Sequence, residues 1–126
     1  MMAASGRKTV MLVEDDEDTR EAFVTLLAAE GYAVVGASDG LEALARIRAG
    51  ASPAVIVLDV MLPSMNGIEF LRARRSFPDL GRAPVILLSG MGEDLDDLRG
   101  DYFNVREFLR KPVAPARLID AVRQLA

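Results

Sequence analysis

Five short apolar runs, each followed by a stretch with its apolar residues on one helical stripe, leave few folds open to this chain. Thr9–Val13, Tyr32–Ala37, Ala54–Leu58, Pro84–Leu88 and Glu107–Leu109 read as strands. Val10–Val13 and Ala54–Leu58 are apolar without interruption, as strands covered on both faces must be. Between the runs the period becomes helical. Ala22, Phe23, Leu26 and Leu27 share a stripe after Asp16, an N-cap residue, and Gly31 is placed to end that helix left-handed. Asp39 and Glu42 have capping-box spacing for a helix running to Gly50, and Asn66 and Glu69 repeat it for a helix through Ile68 and Leu71 to about Ser76. Residues 92–103 form a polar, acid-rich helix ended by Asn104, and Pro115 opens a last helix carrying Leu118, Val122 and Leu125. Alternation of this kind needs parallel strands and right-handed crossovers. The expected fold is α/β, a doubly wound five-stranded parallel sheet flanked by five helices. The 126 residues make one domain, with 1–7 as a flexible N-terminal extension.

Composition narrows the chemistry. The absence of Cys and His excludes thiol catalysis, cysteine zinc sites and Ser-His-Asp triads. A net charge of -4 gives no basis for direct nucleic-acid binding by this domain. No apolar run approaches the roughly 18 residues that a membrane span needs, and Met1–Gly6 has no signal-peptide core. A cytoplasmic protein is the expectation.

In a doubly wound sheet the ligand site lies beyond the carboxyl ends of the strands, where strand order reverses. The residues expected there are Glu14, Asp15 and Asp16 after the first strand, Asp59 after the third, Ser89 after the fourth and Lys111 after the fifth. Carboxylates about 4 Å apart repel by about 4 kcal/mol per pair at an effective dielectric near 20, so their clustering implies a shared cation. Hard oxygen ligands favour Mg²⁺ or Mn²⁺. Asp59 is then either a third ligand or a nucleophile toward phosphorus, with the Ser89 hydroxyl and Lys111 ammonium placed to meet phosphoryl oxygens. The chain has only two lysines, Lys8 and Lys111, its other cations being arginine. A compact ammonium suits a single phosphoryl oxygen.

Val13-Glu14-Asp15-Asp16, Leu58-Asp59-Val60-Met61-Leu62-Pro63-Ser64-Met65-Asn66-Gly67, Leu88-Ser89-Gly90 and Lys111-Pro112, in this order and spacing, resemble the receiver domain of two-component response regulators. The match runs from about Lys8 to Leu125. The resemblance implies a flavodoxin-like, receiver-type fold and Mg²⁺-dependent acceptance of a phosphoryl group by Asp59 from a histidine kinase or histidine phosphotransfer protein. It implies Asp15, Asp59 and the Met61 carbonyl as metal ligands, with Glu14 acting through water. It further implies Ser89 as switch hydroxyl, Lys111 as phosphate partner, Phe108 as switch aromatic, and a cis Lys111-Pro112 peptide bond. Phosphorylation would draw Ser89 toward the new oxygens, let Phe108 rotate inward, and alter the face made by the 92–103 helix, the fifth strand and the last helix. That face would engage a downstream partner or output domain.

Ser89 stands where the family more often has Thr. Met61 and Met91 are apolar at positions where polar groups help place the hydrolytic water, so slow self-dephosphorylation is expected. Glu93, Asp94, Asp96, Asp97 and Asp101 face Arg106, Arg110, Arg117 and Arg123 in sign, suiting a phosphorylation-dependent head-to-head homodimer. Rival readings fit less well. A haloacid-dehalogenase phosphatase has its nucleophile after the first strand, and a flavin carrier needs a hydroxyl-rich loop where Glu14-Asp15-Asp16 stand. The alternative function is a phosphorylation-independent pseudo-receiver acting as a protein-interaction module. The sequence is compatible with a single-domain regulator or with a receiver excised from a larger protein.

Overall fold

Four helices and five strands make up the described part of the molecule, a computed structural model that describes residues 7–62, 67–74, 83–90 and 104–126. In chain order these are β1 (Thr9–Val13), α1 (Glu17–Ala29), β2 (Ala33–Ala37), α2 (Gly40–Arg48), β3 (Val55–Asp59), α3 (Gly67–Arg74), β4 (Val85–Ser89), β5 (Val105–Arg110) and α4 (Pro115–Leu125). All strands are parallel and ordered β2-β1-β3-β4-β5, so strand order reverses between β1 and β3. The helix expected over 92–103, the Asn66 cap and the extension through residue 6 lie outside the described residues.

Each strand sends alternate side chains to opposite faces, which makes two cores. Met11, Val13, Ile56, Leu58 and Leu87 pack with Ala43, Leu44 and Ile47 of α2 and Phe70 and Leu71 of α3. Val10, Leu12, Val57, Ile86 and Leu88 pack on the other side with Leu27 of α1 and Leu118 and Val122 of α4. β3 is buried at every position, Asp59 included, because it has strands on both sides and helices on both faces.

The caps follow the side-chain chemistry. Asp16 accepts bonds from the Thr19 amide (2.9 Å) and hydroxyl (2.6 Å), starting α1. At α2, Asp39 accepts from the Glu42 amide at 2.8 Å, but the Glu42 carboxylate reaches past Asp39 to the Ser38 amide at 2.7 Å. Gly31 (φ 97°) and Asn104 (φ 56°) occupy the left-handed region expected of them.

Several boundaries and one stripe differ from expectation. Asp59 and Ser89 are the last residues of their strands, held by the ladder itself. β5 is twice the expected length, and its pairing with β4 shifts register between Val85 and Ile86. Ala22 is exposed, and the buried stripe of α1 centres on Leu27 with Phe23 packed beside it.

Candidate functional site

The ladder continues for one residue beyond the strand ends, which fixes the rim where the candidate residues stand. Glu14 N–H donates to the Ala37 carbonyl (3.0 Å), Val60 N–H to Leu88 (3.1 Å), and Lys111 N–H to Ser89 (2.7 Å). These bonds set β1, β3 and the β5–α4 turn at one height on the carboxyl edge.

Asp59 lies at the centre of that edge and is almost fully buried. One carboxylate oxygen accepts from the Met61 amide two residues on (3.0 Å), which fixes its rotamer. The other accepts a hydrogen bond from the Lys111 ammonium. Lys111 also lies 3.8 Å from Glu14 Oε1, while Glu14 Oε2 accepts from the Asp16 amide at 3.1 Å. The Lys111–Pro112 peptide bond is cis.

Glu14, Asp15 and Asp59 each offer a carboxylate oxygen, and the three oxygens lie within 4.8 Å of one another. One ammonium cannot balance three carboxylates at that spacing. The imbalance is visible in Glu14, whose carboxyl is pushed up to about 7, chiefly by burial and further by Asp59, against the opposing pull of the Asp16 amide and Lys111. Burial by itself would lower the Lys111 ammonium, but its bond to Asp59 and the nearby charges of Asp59 and Glu14 raise it above its ordinary value. Asp16, capping α1 through Thr19, is held below the usual carboxylate range by those two bonds. An all-oxygen donor set with excess negative charge fits a hard divalent cation and offers nothing to a thiophilic one.

A cleft of about 640 Å³ opens over these groups, lined by Asp15, Asp16, Thr19, Phe23, Lys111 and Val113 among others. Met61 is the most exposed large apolar side chain among the described residues, standing beside the cluster with its amide on Asp59.

The structure brings together Glu14, Asp15, Asp59 and Lys111. Ser89 is next to them along the backbone, one residue past the Asp59–Leu88 pair, but its hydroxyl bonds to none of the carboxylates. Phe108 pairs with Leu87 in register and is partly buried against the core on the α2–α3 side. Asp16 belongs to the helix cap. Two contributors escape a reading of motif chemistry because they act through backbone atoms. Arg20 Nη1 donates to the Glu14 carbonyl at 2.8 Å. Gly67 sits so close to β3 that a Cβ there would lie 2.8 Å from the Asp59 carbonyl oxygen. The one sequence signal for Arg20 was a cation in the first turns of a helix, where the macrodipole favours acids.

A doubly wound parallel sheet with three carboxylates and a lysine converging where strand order reverses defines an α/β domain of the flavodoxin-like, receiver type. The family model described as the response regulator receiver domain matches residues 10–123. The chain is 36% identical over 116 residues to the transcriptional regulatory protein CpxR homolog of Haemophilus influenzae, covering 92% of this chain and 49% of that protein. It is 32% identical over 117 residues to the DNA-binding response regulator MtrA of Mycobacterium tuberculosis, covering 93% and 50% respectively. The chain spans about half the length of these curated relatives. The chemotaxis response regulator CheY4 of Vibrio cholerae superposes with a TM-score of 0.83 at 29% identity, covering 95% of this chain and 99% of that one. The chain belongs to the response regulator receiver family, and its role is in signal transduction.

Proposed function

We propose that this receiver domain accepts a phosphoryl group on Asp59 from a phospho-histidine of a kinase or phosphotransfer protein, in a reaction that needs Mg²⁺. The observation that carries the reading is the Asp59 carboxylate itself: buried, rotamer-fixed by the Met61 amide, and bonded to Lys111, which with Glu14 and Asp15 lines the cleft beside it.

An Asp59 carboxylate oxygen attacks phosphorus. The new O–P bond forms as the donor's N–P bond breaks, and its electron pair leaves on the imidazole nitrogen, which takes up a proton. The Met61 amide orients the carboxylate, and Lys111 follows the charge onto a phosphoryl oxygen. A divalent cation held by Asp15, Asp59 and the Met61 carbonyl, with Glu14 acting through water, would supply the remaining neutralisation. Ser89 then moves toward the phosphoryl group and Phe108 turns inward, biasing the face that β5 and α4 present. That face engages a downstream partner or an output domain in the cytoplasm.

Intact-mass measurement after incubation with acetyl phosphate and Mg²⁺ tests the reading. One added phosphoryl group, lost in Asp59→Asn and with chelator, is the expected result. No addition to protein that binds Mg²⁺ leaves a phosphorylation-independent interaction module as the function.

A further inference from the structure

We propose that Arg20 is a positioning residue for the cation site, acting on Glu14 and Asp15 through the peptide that joins them. The proposal rests on the cation-dependent reading above.

β1 pairs with both neighbours through Val13, opposite Ala37 and Leu58, and there the ladder on its carbonyl side ends. The Glu14 carbonyl lies one residue further on. Its hydrogen-bond partner is Arg20 Nη1, at 2.8 Å. The Arg20 amide meanwhile donates to the Asp16 carbonyl at 2.9 Å. One residue thus grips the Glu14–Asp16 segment at two carbonyls. The segment's other backbone restraints are the Glu14 amide on Ala37 and the Asp16 amide on the Glu14 side chain, while its side chains are tied by the Asp16 cap on Thr19 and the Glu14–Lys111 pair, neither of which touches the Glu14–Asp15 peptide. Rotation of the Glu14–Asp15 peptide would re-aim the Asp15 carboxylate, and the guanidinium bond is what fixes that peptide plane.

The stem of Arg20 is held as well. It packs on β2 at Gly36, where a Cβ would already be in van der Waals contact with Arg20 Cδ at 3.5 Å, so a branched side chain there would crowd the stem. Its choice of acceptor is telling. Among the described residues Arg20 makes no ion pair, although its charge is near enough to act on Asp16. By donating to a carbonyl it occupies none of the cluster's carboxylate oxygens itself.

Positioning and charge predict opposite signs. Removing a nearby positive charge would, by Coulomb's law alone, tighten cation binding; loss of an orienting bond behind a ligand typically weakens it about 10- to 100-fold. The experiment is Mn²⁺ titration followed by electron paramagnetic resonance of the free ion. It compares unsubstituted protein, Arg20→Gln, Arg20→Lys and Arg46→Gln, with circular dichroism as the fold control. Arg46, on α2, lines a surface groove together with Arg20 and Gly36 and serves as the charge control. Arg20→Gln is expected to bind Mn²⁺ at least about tenfold more weakly, Arg20→Lys to recover part of the loss, and Arg46→Gln not to weaken binding. Gly36→Val, which crowds the Arg20 stem from the sheet, is expected to weaken binding too, and it decides the matter should Arg20→Gln unfold. Unchanged or tighter binding in folded Arg20→Gln, or in Gly36→Val if only that variant folds, overturns the proposal. Absence of saturable Mn²⁺ binding in the unsubstituted protein overturns the cation site and the role of Arg20 together. Normal Mn²⁺ binding without phosphoryl uptake overturns only the phosphoacceptor reading, and the Arg20 comparison still decides its own question.

Discussion

Lys111 stands between two carboxylates that would otherwise face each other across the rim, and its bond to Asp59 spans 52 residues of chain. Replacing it with Met keeps the stem and removes the ammonium. Phosphoryl uptake from acetyl phosphate should then slow by about two orders of magnitude, the usual cost of losing one electrostatic donor, as read from the time course of intact mass. Glu14 gives a second prediction, for protein kept in chelator. A carboxyl that holds its proton to about 7 when folded, against an ordinary value near 4.5, binds more protons folded than unfolded between those limits. Stability must therefore fall as pH rises through that window and level off above it. Thermal unfolding in chelator should show this fall, and Glu14→Gln, which cannot ionise, should show less of it. At this scale Glu14, Asp15, Asp59 and Lys111 were legible because strand-end chemistry is written in side-chain type. Arg20 was not, because its target is a carbonyl and no residue type announces that.

The elements were legible to within a residue or two wherever caps or apolar runs marked them. Asp16 and Asp39 cap as their spacing indicates, whereas the Glu42 return bond to Ser38 in place of Asp39 depends on local backbone geometry. β5 was the hardest strand to bound. Arg106 and Arg110 point to water from an edge strand, so its apolar signal is broken after Val105 and lost after Leu109. Gly67 shows a constraint visible only between elements. A methyl group there would meet the Asp59 carbonyl at 2.8 Å and Val60 Cα at 3.0 Å, both backbone atoms that can yield only by moving the start of α3 or the end of β3. Gly67→Ala should cost about 1–3 kcal/mol in urea unfolding. It should also slow phosphoryl uptake to the extent that the end of β3 yields, since that movement shifts Asp59.

Across the whole molecule, the central strands are locked from four sides while the rim they carry holds surplus negative charge. A cation that binds only the folded state must then stabilise it, by about 2.7 kcal/mol at one hundred times its dissociation constant. Thermal unfolding with and without Mg²⁺ should show a rise in the unsubstituted protein and little or none in Asp15→Asn. Fold class followed from the strand–helix alternation, since parallel strands with right-handed crossovers leave few arrangements, whereas the order β2-β1-β3-β4-β5 is fixed by strand pairing that no single run of sequence displays. A further consequence comes from the parallel sheet itself. β1, β3, β4 and β5 all deliver their candidate residues to one rim, so the opposite rim, where Gly31 and Gly50 turn the chain from helix back to strand, carries none of them among the described residues. Exposed Ser52 marks a place there where a reporter domain can be spliced into the chain, far from the phosphoryl donor's approach, turning the receiver into an optical sensor of its own chemical state.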